Sequence, residues 1–327
     1  MAPFVAQRLT LIREKRGLTK EGLADLCGVS RRAVSDWEAA RVSSPPVDML
    51  ATVLNVERSF FFVNDSSPIR PNEVSFRALT SMSAKSQRQA VATATFAVEL
   101  SRWIDQRFEA PSDGVPRLDD LGISYPGDRA DSVPPREAAM AVRDYWNLGG
   151  RPVANAITLL ETHGARLFNL GPADRSVDAF SYWRADRAYL LLNIDKSWER
   201  VRFDIAHELG HLVLHRGVET VRKREFELEA NAFASEFLMP TEDFLRQVGS
   251  ARSDVTLDDV YILKRSWKVS LAAVVKRLMD LELIPDWRYR MWMRDISAKG
   301  FRRGEPEGLP PERSELLTQI LARSRRA

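Results

Sequence analysis

Val201 to His215, VRFDIAHELGHLVLH, is the stretch whose reading decides this chain. Three of the four histidines of the whole sequence fall within its last nine residues. Ile205, Ala206, Leu209, Leu212, Val213 and Leu214 surround them, a pattern that predicts a buried helix carrying a polar cluster. His207 and His211 are four apart, so they lie on one face, a turn from each other. Two imidazoles so placed can share one Zn²⁺. Glu208 stands beside that stripe, where it can serve as a general base without binding the ion. A metzincin would need Gly and His seven and ten residues after His207; Leu214 and Gly217 stand there, so that class is excluded. His215 continues the stripe but is two turns from His207, and is read as a supporting or structural residue.

The third ligand is expected from residues 225–240, EFELEANAFASEFLMP. Ala230, Phe233, Ala234, Phe237 and Leu238 give this segment a helical apolar face. Glu227 and Asn231 share another side of it. A carboxylate joined to two histidines is a catalytic zinc set, and Asn231 could orient one of those histidines. Glu229 is the rival ligand; it points about 200° away from Glu227, so one of the two faces the first helix.

Taken together, HELGHLVLH and the following ExEANxFAxxFLMP resemble the ImmA/IrrE family of bacterial zinc metallopeptidases, over residues 135–250. The resemblance implies a gluzincin-like α+β fold and a limited, regulatory endopeptidase whose relatives cleave transcriptional repressors. It places zinc on His207, His211 and Glu227 and makes Glu208 the base.

Composition bounds the rest. A length of 327 residues suits two or three domains. One cysteine, Cys27, excludes an internal disulfide framework and points to a reducing, cytoplasmic setting. No apolar run reaches about 18 residues, so no membrane partner is expected. Net charge is +3, so contact with nucleic acid must rest on a local patch.

Such a patch is expected at the N-terminus. Val5, Leu9 and Ile12 mark a first helix ended by Gly17, Thr19 is placed to cap a second, and Gly28 turns the chain. Ser30 then caps a third, RRAVSDWEAAR. Helix, short turn, helix is a helix-turn-helix pattern. LTKEGLADLCGVSRRAVSDWE resembles the XRE/Cro family over about Val5 to Phe62. The resemblance implies that the third helix enters the major groove of a double-stranded DNA operator. There Ser30, Arg31, Arg32 and Asp36 stand at the base-reading end, and Lys20 meets phosphate. It also implies that Arg13 and Glu38 pair inside the domain. Trp37 is expected in the core. Nine Lys/Arg stand against seven Asp/Glu from Val5 to Phe62, too few for strong binding by one copy, so a homodimer is expected.

Asn64 to Pro71 has linker composition. Ser83 to Phe108 reads as one long helix whose apolar side needs a partner, either the peptidase domain or a second subunit. Ala110 to Pro135, with five prolines, reads as an extended connector. Helices are expected at Glu137–Leu148 and Pro152–His163, with His163 near a helix end as a cap. Strands are expected at Arg166–Asn169, Val177–Trp183 and Ala188–Ile194. Helices then fill the remainder. From Arg288 onward ten Lys/Arg stand against five Asp/Glu, read as a solvated basic tail.

The expected fold is therefore mainly α with a small β-sheet, in four parts. These are a helix-turn-helix domain at 1–62, a linker with the long helix at 63–134, the peptidase domain at 135–250 and a C-terminal helical region at 251–327. The function these parts imply is a DNA-binding regulator with a zinc endopeptidase that cuts a protein substrate, a repressor or itself, in a stress or mobile-element response. The alternative is a regulator whose peptidase-like domain senses a metal, peptide or small ligand without cutting.

Overall fold

The computed structural model describes residues 2–63, 69, 83–111, 114–123, 133–171, 178–216, 223–249, 255–301 and 304–324. The expected linker after Val63 and much of the connector before Pro135 lie outside these residues. The chain is mainly α, with one three-stranded sheet. It divides into two compact units, one of residues 1–109 with 170–177 and one of residues 110–169 with 178–327.

The first unit begins with α1 (Ala6–Lys15), α2 (Lys20–Cys27), α3 (Arg31–Glu38) and α4 (Val47–Leu54). Local rules set their ends. The Thr19 hydroxyl accepts from Gly22 N–H at 3.0 Å and Ser30 accepts from Ala33 N–H at 3.2 Å, so each starts a helix by satisfying a donor that has no helical partner. Gly28 closes α2 at φ +65°, the left-handed region open to glycine at little cost. Leu9, Leu23, Val34, Leu50 and Phe61 are completely buried between these helices, and Trp37 joins them. Arg13 donates to both oxygens of Glu38, at 2.5 and 3.2 Å, a forked pair that ties α1 to α3.

The long helix α5 (Ala84–Arg107) belongs to this unit. Its partner is α1, where the sequence suggested the peptidase domain or a second subunit. Gln89 donates to the Lys15 carbonyl at 3.0 Å, Lys15 donates to Thr93 at 2.9 Å, and Arg8 pairs with Glu99 at 2.5 Å. Phe96 stacks on Phe60, with ring centroids 5.9 Å apart. The three polar contacts span 74 to 91 positions, far beyond what the spacing of apolar residues reports.

The second unit opens with α6 (Pro135–Tyr145) and α7 (Ala156–Thr162), the latter capped by Asn155, whose side chain accepts from Thr158 N–H at 2.9 Å. The sheet follows: β1 (Arg166–Asn169), β2 (Ala179–Arg184) and β3 (Arg187–Leu192), in the order β1-β3-β2. β1 runs parallel to β3, with Arg166 beside Tyr189. β2 runs antiparallel to β3, with Ala179 opposite Leu192. β2 is therefore an edge strand, while Ala188 to Leu192 on β3 are buried.

Two helices follow the sheet, α8 (Trp198–Leu214) and α9 (Lys223–Leu238). α8 packs on β2 and β3 with one side and on α9 with another; α9 also packs on α6. A Cβ on Gly210 would lie 3.1 Å from the Phe233 ring, so a glycine here lets α8 and α9 approach closely. α10 (Thr241–Val248), α11 (Leu257–Trp267), α12 (Leu271–Asp280), α13 (Asp286–Ala298) and α14 (Glu315–Ser324) complete the unit. Val260, Leu263, Trp267, Val274 and Leu278 share one core with Leu209, Phe233 and Phe237. The helices after residue 250 thus build the same unit as the sheet.

The C-terminal stretch corrects the expectation of a solvated tail. Glu312 accepts from the N–H groups of Ala156 and Ile157, at 2.8 and 3.2 Å, and pairs with Arg202. Glu199 accepts from Leu309 N–H at 3.0 Å and from Lys264 at 2.8 Å. Glu305 accepts from Leu271 N–H at 3.0 Å, and Ile320 is buried. The excess of basic residues concealed what docks the segment: its carboxylates answer two helix N-termini and buried cations.

Candidate metal centre

α8 and α9 together assemble the centre. His207 and His211 project from α8 with their Nε2 atoms 3.0 Å apart. Glu227 of α9 faces both, its carboxylate oxygens 3.3 Å from His207 Nε2 and 3.5 Å from His211 Nε2. One donor atom from each of the three lies within 4.8 Å of the others, the arrangement a single ion requires.

The surrounding bonds decide which nitrogens are bare. His207 Nδ1 is 3.0 Å from Asn231 Oδ1, which can only accept, so the ring donates from Nδ1 and leaves Nε2 with its lone pair. His211 Nδ1 is 2.9 Å from His215 Nδ1, and His215 Nε2 is 2.8 Å from Glu229 Oε2. Read from the carboxylate, His215 donates to Glu229 and accepts from His211, so His211 Nε2 is bare as well. Two lone pairs 3.0 Å apart and a carboxylate repel one another or converge on a cation, and the second outcome is what such a donor set is for.

Electrostatics agree. The His207 and His211 rings beside it hold the Glu227 carboxyl well below the ordinary carboxylate range. Burial pulls His211 down to about 4, so it is neutral at physiological pH, as a ligand must be. For His207 burial acts downward, but the bond to Glu227 and the nearby Glu208 outweigh it and raise its value.

Glu208 is buried one residue along α8 and turns to the sheet. Ser181 of β2 donates to its Oε2 at 2.6 Å. Burial raises its carboxyl above the ordinary value, with His207 and Ser181 acting in opposition. Trp183 on the same strand donates to the Leu212 carbonyl at 3.2 Å, a second tie between β2 and α8.

The residues expected at this centre are thus brought together: His207, His211, Glu227, Glu208, Asn231 and His215. Glu229, the rival ligand, instead anchors His215. Ser181 was not anticipated; its contact with Glu208 spans 27 positions, and no local pattern announces it. His163 lies apart, stacked on Trp146 with centroids 4.5 Å apart.

The residues expected to meet DNA are on the first unit. Arg31 and Arg32 are strongly exposed, with side chains 70% and 91% accessible, and each has only a loose carboxylate neighbour, 3.9 Å away. Asp36 accepts from Arg41 at 3.0 Å, and Lys20 sits 3.3 Å from Glu38. Both would exchange an internal partner for DNA. Ser30 uses its hydroxyl as the α3 cap.

Comparison with known proteins returns two family models. Residues 160–279 match a peptidase family described as IrrE N-terminal-like domain, and residues 9–58 match a family described as helix-turn-helix. The first match runs from α7 into α12 and contains the sheet and the whole centre; the second covers α1 to α4. No curated protein matches the chain.

Proposed function

We propose that this chain, in which a helix-turn-helix domain is joined to an IrrE N-terminal-like peptidase domain, is a DNA-binding regulator whose second unit hydrolyses peptide bonds in a protein substrate. The observation that carries the reading is the convergence of His207 Nε2, His211 Nε2 and Glu227 beside a buried, anchored Glu208. Zinc on those three donors would supply Lewis acidity. Glu208 takes the proton of the attacking water and returns it to the leaving amine. Ser181 holds the Glu208 carboxylate for that transfer. β2 is an outer strand of the sheet among the described residues and carries the Ser181 partner of Glu208, a place where an extended substrate can pair by its main chain. Asn231 and the His215–Glu229 pair keep both ligand rings in the metal-binding tautomer. The first unit would bring this centre to an operator, as a homodimer on a two-fold site, within reach of a DNA-bound repressor or of the chain's own connector.

The test is metal content and hydrolysis of the purified chain beside His207→Ala and Glu208→Gln. About one zinc per chain is expected, lost in His207→Ala and retained in Glu208→Gln, with peptide hydrolysis only in the wild type. No zinc in any of the three overturns the reading. Zinc without hydrolysis would leave a regulator that senses metal or ligand.

A further inference from the structure

Ser181 and Trp183 on β2, and Asp186 in the turn after it, each meet α8 or the residues just past its end. Ser181 donates to Glu208 at 2.6 Å and Trp183 Nε1 donates to the Leu212 carbonyl at 3.2 Å. The Asp186 carboxylate accepts from Arg216 at 3.1 Å. The Arg216 guanidinium also lies over the Trp183 ring, 4.1 Å from its centroid. Glu208, Leu212 and Arg216 follow one another at intervals of four. Four residues of helix rise about 6 Å, and two residues of strand about 6.6 Å. Strand and helix therefore keep step, rung by rung, from the base outward.

The outermost rung supports the weakest part of the hairpin. Arg184 faces Arg187 across β2 and β3, which leaves Ala185 and Asp186 as the turn. Ala185 has φ +53°, in the left-handed region where a Cβ is disfavoured. Favoured two-residue hairpin turns place Gly, Asn or Asp at such positions. The turn is thus poorly fixed by its own sequence, and Asp186 is gripped from outside by Arg216 and by Arg117, the latter at 2.5 Å. Asp186 is exposed, so these ion pairs are weak alone; the guanidinium stacked on half-buried Trp183 adds the stronger hold. What the hold prevents is a loss of register. A slip of β2 by one residue would move it about 3.3 Å and turn its side chains over. Tyr182, which stacks on Tyr189 across the strand pair with centroids 5.0 Å apart, would then replace Ser181 at Glu208.

We infer that Arg216 is a positioning residue for substrate. Through Trp183 and Asp186 it keeps β2 in step with α8, so an extended peptide paired to β2 presents one bond, the one level with Ser181, to Glu208 and the metal ligands. The inference rests on the hydrolytic reading of the centre. Arg216 acts through the strand and not on the reacting atoms. Its loss leaves the ligands and the base in place and blurs which bond of the substrate reaches them.

The test uses the zinc-loaded, full-length chain and a mixture of synthetic decapeptides of defined sequence, with cut sites read by mass spectrometry. The wild type should cut each susceptible peptide at one bond. Arg216→Ala should keep its zinc, cut the same peptides at neighbouring bonds as well, and lower kcat/KM at the original bond about fivefold, the scale of one cation–π contact. Arg216→Lys keeps a cation near the indole without the flat stacking group, so it should return most cuts to the original bond and regain part of the rate. A loss of stability alone reduces the active fraction and leaves the cut position where it was. A slower Arg216→Ala protein that still cuts at one bond therefore overturns the assignment. So does an Arg216→Ala protein of unchanged rate and pattern, or a wild type that already cuts at scattered bonds. A wild type that binds zinc and cuts none of the peptides overturns the positioning role together with the hydrolytic reading. Cutting by the wild type beside an indifferent Arg216→Ala marks a failure of the positioning role alone.

Discussion

Glu227 and Glu229 lie two positions apart on one helix, and their environments separate their roles. Glu227 faces two bare imidazole nitrogens; Glu229 reaches His211 only through His215. Glu227→Ala should therefore lose zinc to a mild chelator. Glu229→Ala should keep about one zinc per chain but bind it roughly 10- to 100-fold more weakly, the usual cost of removing a partner behind a ligand. Chelator competition followed by metal analysis measures both. Equal losses would mean that the two carboxylates are interchangeable. Ser181→Ala tests a different bond. It should leave zinc affinity unchanged and lower kcat/KM about tenfold, near the worth of one hydrogen bond to a charged group. A Ser181→Ala protein of unchanged rate would show that Glu208 needs no anchor.

Helix starts were the most legible elements, because their causes are local. Thr19 and Ser30 each bond an N–H three residues on, so three letters suffice to read them. Thr19→Ala and Ser30→Ala should each cost the first unit about 1 kcal/mol, read from urea midpoints. The three strands were also legible to within about two residues, through alternation and turn residues. What the letters concealed were contacts between distant elements. Arg277 is buried and donates to Glu236, Met239 O and Thr241 within 2.6 to 2.9 Å. Arg143 and Arg202 are likewise buried and donate to backbone carbonyls, Arg143 to those of Gly149, Arg151 and Phe237 and Arg202 to those of Val153 and Lys268. A long side chain with five donors can hold several carbonyls at once, and nothing in its sequence neighbourhood states which. Arg277→Met should destabilise the second unit by about 3–5 kcal/mol, because Glu236 would remain buried with its guanidinium partner gone. A midpoint shift within the error of the wild type would contradict this.

For the whole molecule, the metal centre was legible and the seat of the C-terminal stretch was not. His207, Glu208 and His211 repeat at helical spacing, and the second helix begins close behind them. Glu312 meets Arg202 across 110 positions, and charge counting assigned that region to solvent. Its docking carries a pH signature. Burial raises the Glu305 carboxyl above its ordinary 4.5, while the Leu271 N–H and Lys264 pull it partly back. The folded chain then holds this proton more tightly than the unfolded chain. The group therefore favours folding fully below about 4.5, and that contribution is lost as pH rises through the raised folded value. Glu305→Gln should flatten the decline in the second unit's stability from pH 4.5 upward, measured as urea midpoints at several pH values. An unchanged slope would place the proton elsewhere.

The same docked segment bears on how the protein is made. Chains emerge from the ribosome N-terminus first, and units fold as their residues arrive. The described core of the helix-turn-helix and the α5 helix that packs on it are built from residues before Phe108. The peptidase unit needs Glu305 and Glu312 before Leu271, Ala156 and Arg202 have their partners. During synthesis a nascent chain thus carries the helices of its helix-turn-helix domain long before the last partners of its second unit. On the function proposed above, a message broken between the two would yield a polypeptide that keeps the helix-turn-helix and lacks the metal ligands, a competitor of the intact protein for its DNA.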